Sequence, residues 1–391
     1  MKKVKAVPLG IIKGLRPLDF SLSFLAPLFV LALLFVPLRA ANALGPQVNA
    51  SGAVLMDQAT TRVLASQNAH ERMPMASTTK VMTAMLAIEN APLNTIITVP
   101  KQGYAVEGSS MYLELGEKLT LEDLLYGLML SSGNDAAVTI AMHIGGSVEG
   151  FARMMNNRAL ELGCLNTSFV TPNGLHDDNH YTTAYDLALI CCAAMELPQF
   201  RQIVGTQYWT TKSGNITRSI KNKNKILWNY NGGNGIKTGF TKAAGKCLTF
   251  SAERGEGMVV GVVLNAPDMW KSATTLMDFG FDNHAWETII KAGDTACTVN
   301  INKGMQSILE IVAKEDILIP LRQGETKQSA NVRVDCPYSL EAPVYAGQQV
   351  GRLEVWMDER CVASTPIIAK ETVYKKEYPY YLLRIIRDWV S

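Results

Sequence analysis

The chain has 391 residues, of which 48% are hydrophobic and 18% charged, and its net charge is +2. That length and composition suit an ordinary folded protein with room for two domains. The even charge balance excludes the strongly basic or acidic surface of a nucleic-acid binder, and no nucleic-acid partner is expected.

At the N-terminus, Lys2, Lys3, Lys5, Lys13 and Arg16 precede an uncharged run from Phe24 to Val36, and Ala41-Asn42-Ala43 follows. A basic start, an apolar middle and a small-x-small end predict a secretory signal peptide over 1–43, cleaved after Ala43. A retained membrane helix needs about 18 or more apolar residues, and Pro27, Pro37 and Arg39 crowd this one.

From Ala50 to about Phe281, helical patterns at Lys80 to Ile88, Leu121 to Leu130, Ala136 to Ile144 and Thr183 to Met195 interleave with strand-like runs. The strands are Gly52 to Met56, Cys247 to Ser251 and Met258 to Val263, so the fold class is mixed α/β. Pro74 and Ser77 precede the first helical run, which puts Ser77 at a helix N-terminus, where free N–H groups favour a developing negative charge. Lys80 follows one turn later on the same face. As a base it must be neutral, which burial and a second cation promote, and Lys237 is the candidate neighbour. The bland alternative for Ser77 is a plain N-cap.

Ser132-Gly133-Asn134 lies between two helical runs, and the Gly allows an abrupt turn that places Ser132 and Asn134 in a cleft. His176 and His180 share the polar loop Asn173 to His180, but no further ligand cluster accompanies them, so no metal is expected. The letters Ser-Gly-Asn recur at Ser213-Gly214-Asn215, between strand-like arms Gln207 to Thr211 and Ile216 to Ile220, which predicts a hairpin turn. Lys237-Thr238-Gly239 follows the glycine-rich Asn231 to Gly235 and precedes Phe240-Thr241. A strand with Gly at the third place lets a substrate backbone approach and pair along its edge, while Lys237 and Thr238 face a carboxylate. A solvated strand end is the alternative for this string alone.

The texture changes between Ala285 and Gly293. Short runs follow at Thr298 to Ile301, Ser307 to Val312, Asp316 to Pro320, Asn331 to Val334, Gly351 to Trp356 and Cys361 to Ile368, which predict a small all-β domain. The expected layout is a catalytic domain over 44–288, a β-rich domain over 289–369 and an amphipathic membrane-anchor helix over 370–391. The seven cysteines form no CxxC pair. One disulfide among Cys297, Cys336 and Cys361 fits an exported chain, and spacing does not choose it. On a helix of 381–391, Arg384, Arg387, Asp388 and Ser391 fall in one arc, against Leu382, Leu383, Ile385, Ile386, Trp389 and Val390. With Lys375, Lys376 and the aromatics Tyr378, Tyr380 and Tyr381, this fits an anchor in the plane of a membrane surface. An amphipathic helix docked on its own protein is the alternative.

Ser-x-x-Lys, Ser-x-Asn and Lys-Thr-Gly in this order resemble the signature of penicillin-recognising serine acyl enzymes. The wording around them is similar to that of the low-molecular-mass D-alanyl-D-alanine carboxypeptidases. It runs Met75-Ala76-Ser77-Thr78-Thr79-Lys80, then Met129 to Ala137 (MLSSGNDAA), Asn173-Gly174-Leu175-His176, and Tyr181-Thr182-Thr183-Ala184-Tyr185-Asp186. The likeness is dense over 50–281 and less specific for the β-rich module and the terminal helix.

The resemblance implies an α+β, β-lactamase-like catalytic domain with an antiparallel sheet and helices. It implies that Ser77 attacks the carbonyl between the two terminal D-alanines of a peptidoglycan stem peptide, with Lys80 as general base and Ser132 as proton relay. Asn134 would hold the substrate amide, Lys237, Thr238 and Gly239 the terminal carboxylate end, and the N–H groups of Ser77 and Phe240 the oxyanion. β-Lactams would acylate the same serine, and no cofactor is required. The arginine that many members carry after the last catalytic strand is absent from Ala266-Pro267-Asp268-Met269-Trp270-Lys271. That leaves Lys271, or Lys237, Thr238 and Thr241, for the carboxylate. A class A β-lactamase would need its deacylating Glu at Leu162, where Glu161 stands one place early. A DD-transpeptidase differs only in the acceptor of the acyl group, and a catalytically silent wall-binding protein would usually have lost Ser77, Lys80 or Lys237. The expected location is extracytoplasmic, on the outer face of the cytoplasmic membrane.

Overall fold

Strand β1 (Gly52–Asp57) reads GAVLMD and is buried at every position. A strand apolar on both faces requires cover on both sides, and the fold supplies it. The computed structural model describes residues 44–378 and Trp389. The predicted leader 1–43 and, apart from Trp389, the terminal helix 381–391 lie outside the described residues.

The elements follow in chain order as β1, β2 (Val63–Gln67), a 3₁₀ turn (Ala76–Thr79) running into α1 (Lys80–Asn90), β3 (Ile96–Thr98), β4 (Lys118–Thr120) and α2 (Leu121–Tyr126). A π-helical turn (Gly127–Ser131) leads to α3 (Asn134–Gly145), α4 (Val148–Glu161), α5 (Ala184–Glu196) and α6 (Pro198–Gly205). Next come β5 (Tyr208–Ser213), β6 (Ile216–Lys221), α7 (Ile226–Asn229), β7 (Gly233–Thr241), β8 (Gly245–Arg254), β9 (Gly257–Leu264) and α8 (Met269–Asn283).

β2, β1, β9, β8 and β7 pair in that order as one antiparallel sheet, with β7 at an edge. Alternate residues serve opposite cores. Val54, Met56, Val260 and Val262 pack with α1 and the other helices that follow β2, while Leu55, Val259, Val263 and Phe250 pack with Leu276 and Met277 of α8. Helix α1 is buried from Lys80 to Ala87, as expected of a helix apolar nearly all round.

The helix expected over Leu121 to Leu130 begins as predicted, capped by Thr120, whose Oγ1 accepts from the Asp123 N–H at 3.1 Å. It then widens into the π turn rather than running on as α-helix. Gly127 explains the tight approach there, since a Cβ at that position would meet the Met111 sulfur at 2.1 Å. The Ser213-Gly214-Asn215 copy is a hairpin turn between β5 and β6.

The C-terminal part is all β: β10 (His284–Ile290), β11 (Thr295–Asn302), β12 (Ile308–Ala313), β13 (Ile317–Arg322), β14 (Asn331–Asp335), β15 (Ser339–Glu341), β16 (Gln349–Met357) and β17 (Arg360–Ala369). Six of these form a sheet in the order β14, β16, β17, β12, β11, β15, and β10 pairs with β13. Val299, Ile311, Ile319, Leu353, Val355 and Ile367 fill its core. β10 passes through the stretch where the sequence texture changes.

Candidate active site

Four elements converge on Ser77. The first is the 3₁₀ turn that carries it into α1. Ala76, just before it, adopts φ 48°, an uncommon conformation for a residue with a Cβ. Three contacts hold it there. Gly174 packs so closely that a Cβ on it would stand 1.9 Å from the Ala76 carbonyl. The Thr79 hydroxyl donates to that same carbonyl at 2.8 Å. His180 Nε2 lies 2.8 Å from Thr79 Oγ1, while its Nδ1 accepts from the Val170 and Thr171 N–H groups at 3.0 and 3.3 Å. With Nδ1 accepting, the ring proton sits on Nε2 and points at Thr79. Burial pushes the His180 pKa down to about 4, so the ring is neutral. His180 thus supports the turn that carries Ser77, whereas His176 is half-exposed and faces Asp178 at 3.5 Å.

Lys80 is fully buried, and its Nζ donates to Asn134 Oδ1 at 2.7 Å and to the Asn173 carbonyl at 2.6 Å, with Ser77 Oγ 2.9 Å away on its remaining side. Burial, then the charge of Lys237, then that of Lys223 hold its pKa well below the usual lysine value, with Asp135 opposing. In its unprotonated form the amine has two N–H groups for the carbonyl oxygens of Asn134 and Asn173 and a lone pair for the Ser77 proton. Burial and Lys223 lower Lys237 as well, to about 7.

The second element is the junction of the π turn and α3. Ser132 takes the left-handed conformation (φ 66°), and Lys223 secures the turn by donating to the Ser131 carbonyl at 2.8 Å. Asn134 opens α3, its Nδ2 donating to the Glu107 carbonyl at 2.5 Å and its N–H to the Ser109 carbonyl at 2.7 Å. One Nδ2 hydrogen is left over.

The third element is the edge strand β7. Gly239 passes so near the 3₁₀ turn that a Cβ on it would lie 3.1 Å from the N atoms of Ser77 and Thr78. Its neighbours Thr238 and Phe240 line a cavity of about 500 Å³ together with Ser77, Ser109, Ser132, Lys223, Lys246, Met269 and Trp270. The fourth element is the start of α8, which contributes Met269 and Trp270 as an apolar wall.

The structure therefore brings together Ser77, Lys80, Ser132, Asn134, Lys237, Thr238, Gly239 and Phe240. It departs from expectation in three places. Lys237 is buried behind the cavity wall, with Nζ on the Thr238 carbonyl at 3.0 Å. Thr241 is absent from the cavity lining, because its Oγ1 accepts from the Ala244 N–H at 3.0 Å in the turn into β8. Lys271 is exposed and also absent from the lining, where Trp270 stands instead, so the solvent-facing cations at the cavity are Lys223 and Lys246.

Lys223, Asp135 and the Asn173 carbonyl are not foreseen from the sequence. Lys223 leaves a faint signal in Lys221-Asn222-Lys223-Asn224-Lys225, where the asparagines are buried and the lysines exposed. Asn222 Nδ2 donates to the Val204 and Thr206 carbonyls at 3.1 and 3.0 Å, which turns Lys223 outward. Asp135 ties down the cavity rim, accepting from Ser110 Oγ at 2.5 Å and the Leu113 N–H at 3.0 Å.

A family model described as D-alanyl-D-alanine carboxypeptidase matches residues 39–268, and one described as the C-terminal domain of penicillin-binding protein 5 matches 286–375. The chain is 32% identical over 351 residues to the D-alanyl-D-alanine carboxypeptidase DacF of Bacillus subtilis, covering 88% of this chain and 90% of that one. Among solved structures, penicillin-binding protein 5 of Haemophilus influenzae is similar at a TM-score of 0.68 and 28% identity, over 84% of this chain and 99% of that one. The Streptomyces K15 DD-transpeptidase is similar at a TM-score of 0.58 and 34% identity, over 61% of this chain and 99% of that one.

Proposed function

The chain belongs to the D-alanyl-D-alanine carboxypeptidase family, and from that premise we propose that Ser77 is the residue through which it removes the terminal D-alanine of peptidoglycan stem peptides. It is a serine-type carboxypeptidase, and its family works through an acyl-enzyme that penicillins also form. One observation carries the assignment of the nucleophile. Ser77 Oγ lies at the cavity, 2.9 Å from a fully buried amine whose pKa burial and the neighbouring Lys237 charge hold well below the usual lysine value.

Lys80 takes the Ser77 proton as Oγ attacks the carbonyl between the two D-alanines. The developing oxyanion rests on the N–H groups of Ser77 and Phe240, each such donor being worth about 3 kcal/mol. Ser132 passes a proton to the leaving amine. The remaining Nδ2 hydrogen of Asn134 holds the substrate amide, and the unpaired edge of β7 accepts the substrate backbone as an added strand. Thr238 binds the terminal carboxylate, with the charges of Lys237 behind it and Lys223 beside it. Gly239 leaves space for the approach. Water then releases the acyl group, and a β-lactam at the same serine leaves slowly.

The chain is exported by 1–43 and held at the outer face of the cytoplasmic membrane by 381–391. The exposed aromatics Tyr374, Tyr378 and Trp389 support this location. Flotation with anionic lipid vesicles tests it, and a chain lacking 381–391 that floats as well as the full chain would overturn it.

Incubation with a labelled penicillin and with a peptide ending in D-Ala-D-Ala tests the nucleophile. Wild type becomes covalently labelled and releases D-alanine, and Ser77→Ala does neither. Equal labelling of Ser77→Ala would mean that another serine carries the acyl group.

A further inference from the structure

The six-stranded C-terminal sheet is nearly closed on itself. β14 and β15 are its opposite edges, yet only Cys336, Pro337 and Tyr338 separate them in sequence. The edges must therefore come together at Cys336. β15 lies parallel to β11, and on β11 stands Cys297. Its Sγ is 2.8 Å from Cys336 Sγ, less than about 1 Å beyond the ~2.05 Å of a disulfide bond. Both side chains are half-buried and pack against the core of this sheet.

We propose that Cys297 and Cys336 form a disulfide that staples the open seam of the C-terminal sheet. Strand register excludes the other pairings. Trp356 of β16 pairs with both Asn331 and Cys361, so Cys361 sits level with Asn331, five residues or roughly 16 Å along β14 from Cys336. Cys297 pairs with Ile311, which pairs with Ala369, eight residues or roughly 26 Å along β17 from Cys361. Both spans exceed the ~7 Å between Cα atoms that a disulfide tolerates. Cys164, Cys191, Cys192 and Cys247 are buried elsewhere, in the catalytic core.

In the oxidation each thiol gives up a proton and an electron, and the two sulfurs bond. A disulfide-bearing oxidant accepts both electrons and both protons and leaves as two thiols. The bond closes a loop of roughly 40 residues and restricts the unfolded chain. It also covers for the hydrogen bonds missing between β14 and the β11/β15 edge. Its persistence in the cell rests on the reading that the chain is exported, because such bonds last in oxidising compartments.

Two preparations of the full chain separate the pairing from that reading. One is exported into an oxidising periplasm and alkylated before lysis. The other is made in a reducing cytosol, purified and incubated with oxidised glutathione. After digestion without reductant, a peptide pair joined through Cys297 and Cys336 is expected in both, with Cys361 alkylated. Reduction lowers the thermal midpoint by about 5–15 °C. Cys297→Ser and Cys336→Ser match the reduced protein, and Cys361→Ser matches wild type. Alkylation of both thiols after glutathione treatment, a link through Cys361, or a midpoint indifferent to reduction would each overturn the staple. Linkage in the glutathione sample alone would support the pairing and overturn the oxidising destination.

Discussion

Lys223 Nζ donates to the Ser131 carbonyl at 2.8 Å, so one exposed lysine both fixes the turn that presents Ser132 and places a positive charge near Lys80 and Lys237. Its charge contributes to lowering both of their pKa values. Lys223→Met therefore raises both. The acid limb of the pH profile for penicillin acylation moves to higher pH, and a rise of one in the Lys80 pKa leaves about tenfold less neutral amine below it. Lys223→Arg keeps the charge and holds the limb in place. A limb unmoved in Lys223→Met would show that this residue only braces the turn.

Lys237 sets the opposite limb. Its ammonium, pushed down to about 7 by burial and by Lys223, is charged below that pH and neutral above it. Burial and then the Lys237 charge depress Lys80, so a charged Lys237 favours a neutral Lys80, and the form suited to the chemistry combines the two. KM for a peptide carboxylate is expected to rise as pH passes from about 6 to about 9 through the Lys237 titration, with a midpoint of about 7. Lys237→Arg keeps its charge throughout and flattens that rise. A wild-type KM constant over this range would remove Lys237 from carboxylate binding.

His180 makes the fold acid-sensitive. Its pKa is about 4 in the native protein, against about 6.5 unfolded. Between those values the unfolded chain binds a proton that the native one does not, so stability rises with pH across this window, by about 3 kcal/mol in all. Below about 4 its contribution is flat. Urea unfolding at about pH 4.5 and about pH 7, towards the two ends of that window, should show a smaller difference in His180→Phe than in wild type. The same variant frees the Thr79 hydroxyl from its ring partner and lowers kcat through the placement of Ala76 and Ser77. Equal pH dependence in both proteins would assign the acid sensitivity to other groups.

Gly174→Ala tests the same support sterically. The added methyl falls 1.9 Å from the Ala76 carbonyl, at a residue whose φ is +83°. Relief requires Ala76 to move, and Ser77 with it. Stability falls by about 2 kcal/mol or more, and acylation falls with it at temperatures where the variant is still folded. Gly146→Ala is the control, since a Cβ there meets nothing within 4 Å and shares only the positive φ. Equal losses in the two variants would make the backbone conformation, rather than the contact with Ala76, the cause.

What the residues disclose depends on where each signal is stored. Runs such as Cys247 to Ser251 and Cys361 to Ile368 announce their strands, because burial fixes their side-chain pattern. Ser77, Lys80, Ser132 and Lys237 announce themselves through a fixed local spacing of chemically distinctive groups. The Asn173 carbonyl on Lys80 has no side-chain signature at all. The support from His180 to Ala76 depends on residues about a hundred positions apart. Helix α4 is hard to read from the sequence because its polar face hides a narrow apolar stripe of Phe151, Met155 and Ala159. Thr241 leaves the cleft because a hydroxyl beside a tight turn can serve the turn instead.

Arg62 joins the catalytic part to the β part. Its guanidinium, nearly buried, makes two hydrogen bonds to Glu325, at 2.5 and 2.9 Å, and another to the Pro320 carbonyl. Burial pushes the Glu325 pKa up, but the bonds from Arg62 and the Arg322 N–H outweigh it and hold the carboxyl below its usual value. The pair's contribution is thus present above the unfolded pKa of about 4.3 and lost as pH falls through the native one. Glu325→Met leaves the nearly buried Arg62 charge with only the Pro320 carbonyl and the exposed Asp358 carboxylate at 3.6 Å, at a cost of up to about 3 kcal/mol. Arg62→Met with Glu325→Met removes both charges and recovers most of that loss, because a buried pair repays little more than its desolvation. Denaturant unfolding of the two single variants and the double variant measures the coupling. Additive losses would show that the two side chains act independently. Penicillin acylation is expected to be unchanged in all three, since neither residue lines the cavity at Ser77.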